Sequence, residues 1–445
     1  MNAAAEAPAL IAVDAELRAL CHDALGAADA YLAIATQACG DRIAPDGGID
    51  RVALDAHQFA AHGFAWAATY VAALHQLHGW AERLAAESRF GLFETLILQA
   101  GFGEYLSQLA HGITMSQDEV FRPHHLGIDA TALLDNAACR HLIYDGNSIA
   151  ARMRLAELVA ANLDTGIFGD AGLDETNTMI REQFQRFAAE KVAPFANDWH
   201  IDDQFIPMEV IEEMGELGVF GLTLPEADGG LGMGKIAMCV VTEELSRGYI
   251  GVGSLGTRSE IACELIRVNG TAEQKERYLA RIASGEILPT AVFTEPNVGS
   301  DLGAVRTRAV RDGDVYRITG NKTWITHGAR SDLMTLMART DSADEHYRGL
   351  TMFLAEKPRG DDADPFPAPG MSGTDIRVLG YRGMKEYEIA FDGFEVPAAA
   401  ALGGSEGDGF RQLMATFETA RIQTAARATG VAQNALDLAA RYAAD

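Results

Sequence analysis

The sequence predicts an α+β protein that is mainly α-helical: a helical bundle, a second helical domain, a central β-barrel, and the start of a last helical bundle. Three observations predict it. Apolar residues recur at spacings of three and four through the amino-terminal third, alternation with a period of two takes over beyond Ile287, and a helical pattern returns after Gly403-Gly404.

The first domain is expected over residues 1–168, where the chain is rich in Ala and Leu and Phe64, Ala67, Tyr70, Val71, Leu74 and Leu77 form one helical stripe. The segment from His57 to Trp80 contains no Asp, Glu, Lys or Arg, but its alanines, histidines, Gln76 and Gly79 suit a buried bundle helix better than a membrane span. Gly169 to Gly172 punctuate the chain. A second helical domain follows over 173–286. Ile180, Phe184 and Phe187 share one helix face, Pro207 opens a helix before Val210, Ile211 and Met214, and a further helix is predicted from Gly256 to Ile266. Thr271 and Gln274 form a capping box for the helix that Gly285 closes.

The β-domain is expected over 287–398. Val305, Thr307 and Ala309 lead into an Asp312-Gly313 turn, and Val315, Arg317 and Thr319 return from it. Asp361 to Pro369 carries too much Asp and Pro for a ladder and reads as an exposed loop. Residues 405–445 then carry Phe410, Leu413, Phe417, Ile422, Val431, Ala435 and Leu438 at helical spacing. One amphipathic helix cannot bury its apolar face alone, so the last bundle is expected to be incomplete in this chain.

Composition excludes several classes of function. A formal charge of -27 repels nucleic acid and anionic membrane surfaces. The five cysteines, Cys21, Cys39, Cys139, Cys239 and Cys263, make no CxxC pair, which argues against a disulfide framework or a zinc module and fits a reducing cytoplasm. Met1 to Asp14 has no basic region and does not read as a secretion signal. His57, His62, His75, His78, His111, His124 and His125 lack the spacing of metal ligands, so no metal is expected. Neither a Walker loop nor a Gly-x-Gly-x-x-Gly turn is present.

Two segments carry the chemistry. Phe293-Thr294-Glu295-Pro296-Asn297-Val298-Gly299-Ser300-Asp301 ends a strand in a tight polar loop, and Asn321-Lys322-Thr323-Trp324-Ile325-Thr326 is an aromatic, hydroxyl-bearing strand. Gly299 would let the backbone turn closely around a ligand, and Ser300 and Asp301 would cap amides. A planar redox ring could rest against Trp324. The ordered pair of blocks resembles the flavin signature of the acyl-CoA dehydrogenase family over about Leu173 to Asp445. The long helical extension, with Phe102-Gly103-Glu104-Tyr105-Leu106 and Met115-Ser116-Gln117-Asp118-Glu119, and the run from Gly380 to Tyr387 resemble the branch of that family acting on (2S)-methylsuccinyl-CoA.

The resemblance implies FAD-dependent α,β-desaturation of a short branched acyl-CoA, with mesaconyl-CoA as product, electrons leaving to an electron-transfer flavoprotein, and a homodimer or homotetramer. Ala291, Phe293, Thr294, Gly299, Ser300, Trp324, Ile325 and Thr326 would hold the FAD, Thr294 and Thr326 on its pyrimidine and N5 side. Ser300, Glu418 and Arg421 would line the thioester channel. A second carboxylate on the substrate needs a cation, for which Arg258 is the first choice and Arg382 the second. The family's base is not found: Ala420 falls where an isovaleryl-type minority holds it, and Glu418 is rotated by about 200° on the helix. The base is therefore expected beyond Asp445, and the 445-residue chain is expected to bind flavin poorly and not to desaturate thioesters, whereas a version extended through a full bundle would. Competing readings are another short-chain acyl-CoA dehydrogenase, a flavin monooxygenase on the same scaffold, and a noncatalytic helical scaffold.

Overall fold

The computed structural model describes residues 9–164, 166, 168–341 and 346–444, so most of Met1 to Asp14 lies outside it. The chain divides into two compact units, Met1–Leu173 with Asp437–Asp445, and Asp174–Leu436.

The first unit is helical. Its long helices are α1 (Asp14–Ile43), α2 (Gln58–Ala86) and α3 (Leu92–His111), followed by α4 (Ile149–Ala160). Leu17, Cys21, Ala24 and Ala28 of α1 meet Ala67, Val71 and Leu74 of α2 and Leu98, Phe102 and Leu106 of α3 in one core. The stripe expected from spacing is the buried face of α2, with Phe64, Tyr70 and Leu77 at its margins. Small residues set the packing distance: a Cβ on Gly63 would lie 1.9 Å from the Phe121 ring. Burial raises the thiol pKa of Cys21 and Cys139, and with no charged partner the two cysteines serve as small apolar packing groups. His75 pairs with Asp29 at 2.7 Å and His141 with Asp145 at 3.0 Å, and among the described residues no group of three or more potential ligands surrounds a metal position. No described helix is long and apolar enough to cross a membrane.

In the second unit α5 (Glu175–Phe187), α6 (Lys235–Gly248), α7 (Ile250–Asn269) and α8 (Ala272–Ala283) precede a seven-stranded sheet. The Thr271–Gln274 capping box starts α8 as expected. Helix α7 begins six residues earlier than the Gly256 start read from sequence. Its glycines hid that first turn and a half, and the fold needs them small: a Cβ on Gly253 would lie 2.7 Å from the Ser246 backbone nitrogen in α6.

The strands are β1 (Pro289–Val292), β2 (Arg308–Asp312), β3 (Val315–Thr326), β4 (Leu333–Arg339), β5 (Leu350–Glu356), β6 (Met371–Ile376) and β7 (Glu386–Pro397). They run in the order β1-β4-β2-β3-β7-β6, with β5 also paired to β4, as a curled sheet. The β2–β3 hairpin turns at Asp312 and Val315, as the Asp-Gly signal requires. Asp361 to Pro369 is irregular, although Phe366 and Ala368 turn back into the sheet core. The long helix α9 (Gly409–Ala444) ends the described chain. Its residues Leu413, Phe417 and Ala420 pack on the same core as α7 and α8.

Candidate functional site

The two chemistry-bearing segments lie side by side. The Thr323 amide donates to the Thr294 carbonyl at 3.0 Å, and the Lys322 ammonium donates to the Phe293 carbonyl at 2.8 Å and to Glu295 Oε1 at 3.0 Å. Glu295 organises the loop. Its carboxylate accepts the Arg306 and Thr307 amides at 2.8 Å each, while its backbone closes a tight turn onto Val298. Burial pushes the Glu295 carboxyl up, but Lys322 and these amides outweigh it and hold the group below the usual carboxylate range. Burial lowers Lys322 to about 8 despite the opposing pull of Glu295.

Ser300 and Asp301 are not used as expected: Asp301 starts the short helix at Leu302–Ala304 without a side-chain cap, and Ser300 is exposed. Nor does the protein itself require glycine at 299, which lies outside the positive-φ set and whose Cβ would meet nothing within 4 Å. The space beside the loop is open.

Trp324 is turned outward by a bulge. Three steps along β3, from Lys322 to Ile325, face two along β7, from Ile389 to Tyr387, and the extra residue takes φ 58°. The indole is 55% exposed, whereas Ile325 is buried in the sheet core. Phe293 is also buried, edge-on to Phe417 at 6.2 Å. A ring lying on Trp324 could therefore meet Phe293 and Ile325 only through their backbones, while Ala291 and Thr294 are half-buried.

Four of the six described non-glycine residues with positive φ fall here: Trp324 and His327 at the end of β3, Tyr381 and Lys385 before β7. Such conformations cost roughly 1–3 kcal/mol each and persist where the surroundings impose them. The His327 amide ties the two segments by donating to the Lys385 carbonyl at 3.0 Å. The His327 ring is fully buried with neither nitrogen partnered, and burial, with Arg330, Arg258, Arg359 and Lys357 nearby, lowers its pKa to about 3. It is a neutral imidazole.

Thr326 donates its hydroxyl to Glu386 at 2.7 Å. Burial raises the Glu386 carboxyl, against the opposing effects of Thr326, Arg258 and Arg427. Arg258, half-buried on α7, donates to the Ser254 hydroxyl at 2.7 Å, and Arg427 of α9 donates to the same oxygen at 2.5 Å. The Tyr381 hydroxyl bonds both Ser254 and Arg427. Of the residues gathered here, sequence reasoning singled out Arg258 and gave no role to Arg427, Tyr381, Ser254, Glu386 or His327. Tyr381 and Glu386 were within reach, since both lie in the Gly380 to Tyr387 run.

The remaining expected residues lie apart from this cluster. Arg382 turns its guanidinium to the carbonyls of His200 at 3.0 Å and Val378 at 3.1 Å, so its neighbour Tyr381 is the one that meets Ser254 and Arg427. Glu418 is exposed, and Arg421 lies over the Phe417 ring at 5.7 Å. Ala420 packs against the core and offers no proton acceptor.

The described groups could hold a planar ring on an outward indole, polarise a bound carbonyl, and receive an anion. Comparison with known proteins bears on which of these matters. The profiles of the acyl-CoA dehydrogenase N-terminal, middle and C-terminal domains match residues 174–286, 290–394 and 407–445. The chain is 59% identical to a (2S)-methylsuccinyl-CoA dehydrogenase of Cereibacter sphaeroides over 96% of its own length and 78% of that protein. It is 33% identical to a glutaryl-CoA dehydrogenase of Desulfococcus multivorans over 61% and 68% of the two chains. Among solved structures, a glutaryl-coenzyme A dehydrogenase in complex with glutaryl-CoA superimposes with TM-score 0.56 and 32% identity, covering 61% of this chain and 67% of that one. A glutaryl-CoA dehydrogenase of Mycobacterium smegmatis in complex with FADH2 gives 0.53 and 28%, covering 63% and 67%.

Proposed function

Since the chain belongs to the acyl-CoA dehydrogenase family, we propose that it performs the FAD-dependent α,β-desaturation of (2S)-methylsuccinyl-CoA to mesaconyl-CoA. The observation that carries the reading is the outward indole of Trp324 beside the open loop at Gly299, a surface that suits a tricyclic ring. These residues fit the cofactor: Trp324 would face the ring, the backbones of Ala291, Phe293 and Ile325 and the side chain of Thr294 would border its edge, and Gly299 and Ser300 would leave room for the pyrophosphate. Bound FAD supplies the two-electron acceptor.

The chain's own part is binding and orientation. The Glu295–Lys322 pair holds the loop at a fixed height beside Trp324, so the ring and the thioester meet without reorganisation. Backbone N–H groups on the same strands would donate to the thioester oxygen as negative charge grows there. Thr326, anchored on Glu386, borders the N5 side. Ser300 and the α9 surface bearing Glu418 and Arg421 line the path of the pantetheine arm. Electrons then pass to an electron-transfer flavoprotein, and the working form is a homodimer or homotetramer in the cytoplasm.

The test is the visible spectrum of the FAD-loaded protein titrated with (2S)-methylsuccinyl-CoA. Perturbation of the flavin band on binding is expected, and its bleaching once an acceptor for the α proton is in place. A protein that takes up no FAD, or whose flavin is bleached by isobutyryl-CoA and untouched by methylsuccinyl-CoA, would overturn the reading. Rapid oxygen consumption by the reduced protein would favour a monooxygenase instead.

A further inference from the structure

Two cationic side chains from separate helices converge on one neutral oxygen. Arg258 of α7 and Arg427 of α9 both donate to the Ser254 hydroxyl, at 2.7 Å and 2.5 Å, and Tyr381, held at φ 65° in the loop before β7, closes the group by bonding Ser254 and Arg427. Neither guanidinium has a salt-bridge partner among the described residues. The Arg427 Nε is buried with no acceptor at all.

Such an arrangement is costly as it stands. Like charges that share a half-buried site repel, and a serine hydroxyl cannot neutralise two guanidinium groups. Several other arginines of the second unit meet a carboxylate, as Arg267 meets Glu264 at 2.9 Å and Arg359 meets Asp332 at 2.6 Å, and the half-buried Arg382 rests on two backbone carbonyls rather than beside a second cation. Glu386, the acid in the field of both arginines, accepts the Thr326 hydroxyl at 2.7 Å and makes no ion pair with either guanidinium among the described residues. The resident groups therefore leave the positive charge unbalanced.

We propose that Arg258 and Arg427, with the hydroxyls of Ser254 and Tyr381, form the receptor for a carboxylate carried on the acyl portion of the thioester. The inference rests on the desaturase reading and names the feature that selects a dicarboxyl substrate. Two planar guanidinium forks and two hydroxyls supply more donors than one carboxylate can use, so the anion is held in a fixed orientation. The position is set by covalent and hydrogen-bonded continuity. Glu386, in the field of both arginines, is bonded to Thr326, one residue beyond Ile325 and two beyond Trp324, so the receptor lies toward the reacting end of the site. The open loop of Gly299 and Ser300 is the separate place for phosphates.

An anion receptor could also serve a phosphate of CoA, and the test separates the two. The full chain loaded with FAD is titrated with (2S)-methylsuccinyl-CoA and with isobutyryl-CoA, which lacks the second carboxylate but carries the same CoA phosphates. Arg427→Met is expected to weaken methylsuccinyl-CoA binding by roughly 10- to 100-fold, the loss of a hydrogen-bonded charge, and isobutyryl-CoA binding by less than about threefold. Equal weakening of both would assign the arginines to CoA phosphate and overturn the proposal, as would no change in either. Arg427→Lys keeps the charge and loses the fork, so intermediate weakening is expected from it, and wild-type affinity would also overturn the proposal. Sodium methylsuccinate alone gives a readout independent of flavin and turnover: it should raise the melting temperature of the wild-type protein but not of Arg258→Gln, while inorganic phosphate at equal ionic strength should not. If methylsuccinyl-CoA binds by competition without bleaching the flavin, the proposed reaction fails and the receptor stands; if methylsuccinate stabilises neither protein, the receptor fails and the reaction is judged by the flavin titration.

Discussion

Two buried charged nodes of the second unit differ in one respect, and the difference separates scaffold from recognition. At the first, the Lys322 ammonium meets Glu295, whose oxygens also take two backbone amides. At the second, which is half-buried, Arg258 and Arg427 meet hydroxyls and one backbone carbonyl but no carboxylate among the described residues. A buried charge that is matched fixes a loop, whereas one left unmatched carries a standing cost that a ligand of opposite sign can relieve. The first node fixes the loop beside Trp324, and the second is the one proposed as the anion receptor.

The comparison breaks most visibly at the matched node. Replacing Glu295 by Gln, or Lys322 by Met, leaves the surviving charge buried without its partner, and urea unfolding should show a loss of about 3–5 kcal/mol. At the unmatched node the same experiment should reverse: Arg427→Met removes one of two repelling cations, so its unfolding midpoint should equal or exceed that of the wild type. A marked destabilisation there would mean that Arg427 is structural. Trp324→Ala comes next in size. The indole is more than half exposed, so stability should change little, while FAD affinity, followed by fluorescence quenching, should fall roughly tenfold for the loss of a stacked ring.

His327 gives a pH effect. Its folded pKa of about 3 lies below the unfolded value of 6.5, so the unfolded chain binds more protons between these limits. The stability it permits is present above pH 6.5 and is lost as pH falls toward 3. His327→Asn should flatten that part of the melting-temperature profile, and an unchanged acid limb would show that the ring is not the proton acceptor. The smallest effect is expected at Arg421, exposed over Phe417, where Arg421→Ala should cost at most about 1 kcal/mol by the same unfolding assay.

These nodes also mark the limit of what the residues alone disclose. Period and punctuation were sufficient for α2, the Thr271 capping box and the Asp312-Gly313 hairpin, because each is decided within a few residues. The two flavin-side segments were legible for the same reason. Arg427 was not, since a lone arginine on an amphipathic helix looks like any solvated charge until α7 and the Tyr381 loop arrive beside it. The early start of α7 was masked by glycines whose purpose is contact with α6. Ser300 and Asp301 had the right chemistry for capping, but the side chain that takes loop amides is Glu295, which reaches Arg306 and Thr307 more than ten residues on.

The bulge at Trp324 has a consequence for how this protein can tolerate change. Side chains alternate along β3, so the indole, the isoleucine behind it and the threonine hydroxyl that reaches Glu386 all depend on counting residues correctly from Lys322. Deleting Thr323 from the hexapeptide 322–327 would abolish the bulge, and with it the φ of 58° that aims the indole, even if every remaining amino acid were kept. Within that hexapeptide, spacing is a stricter inheritance than identity.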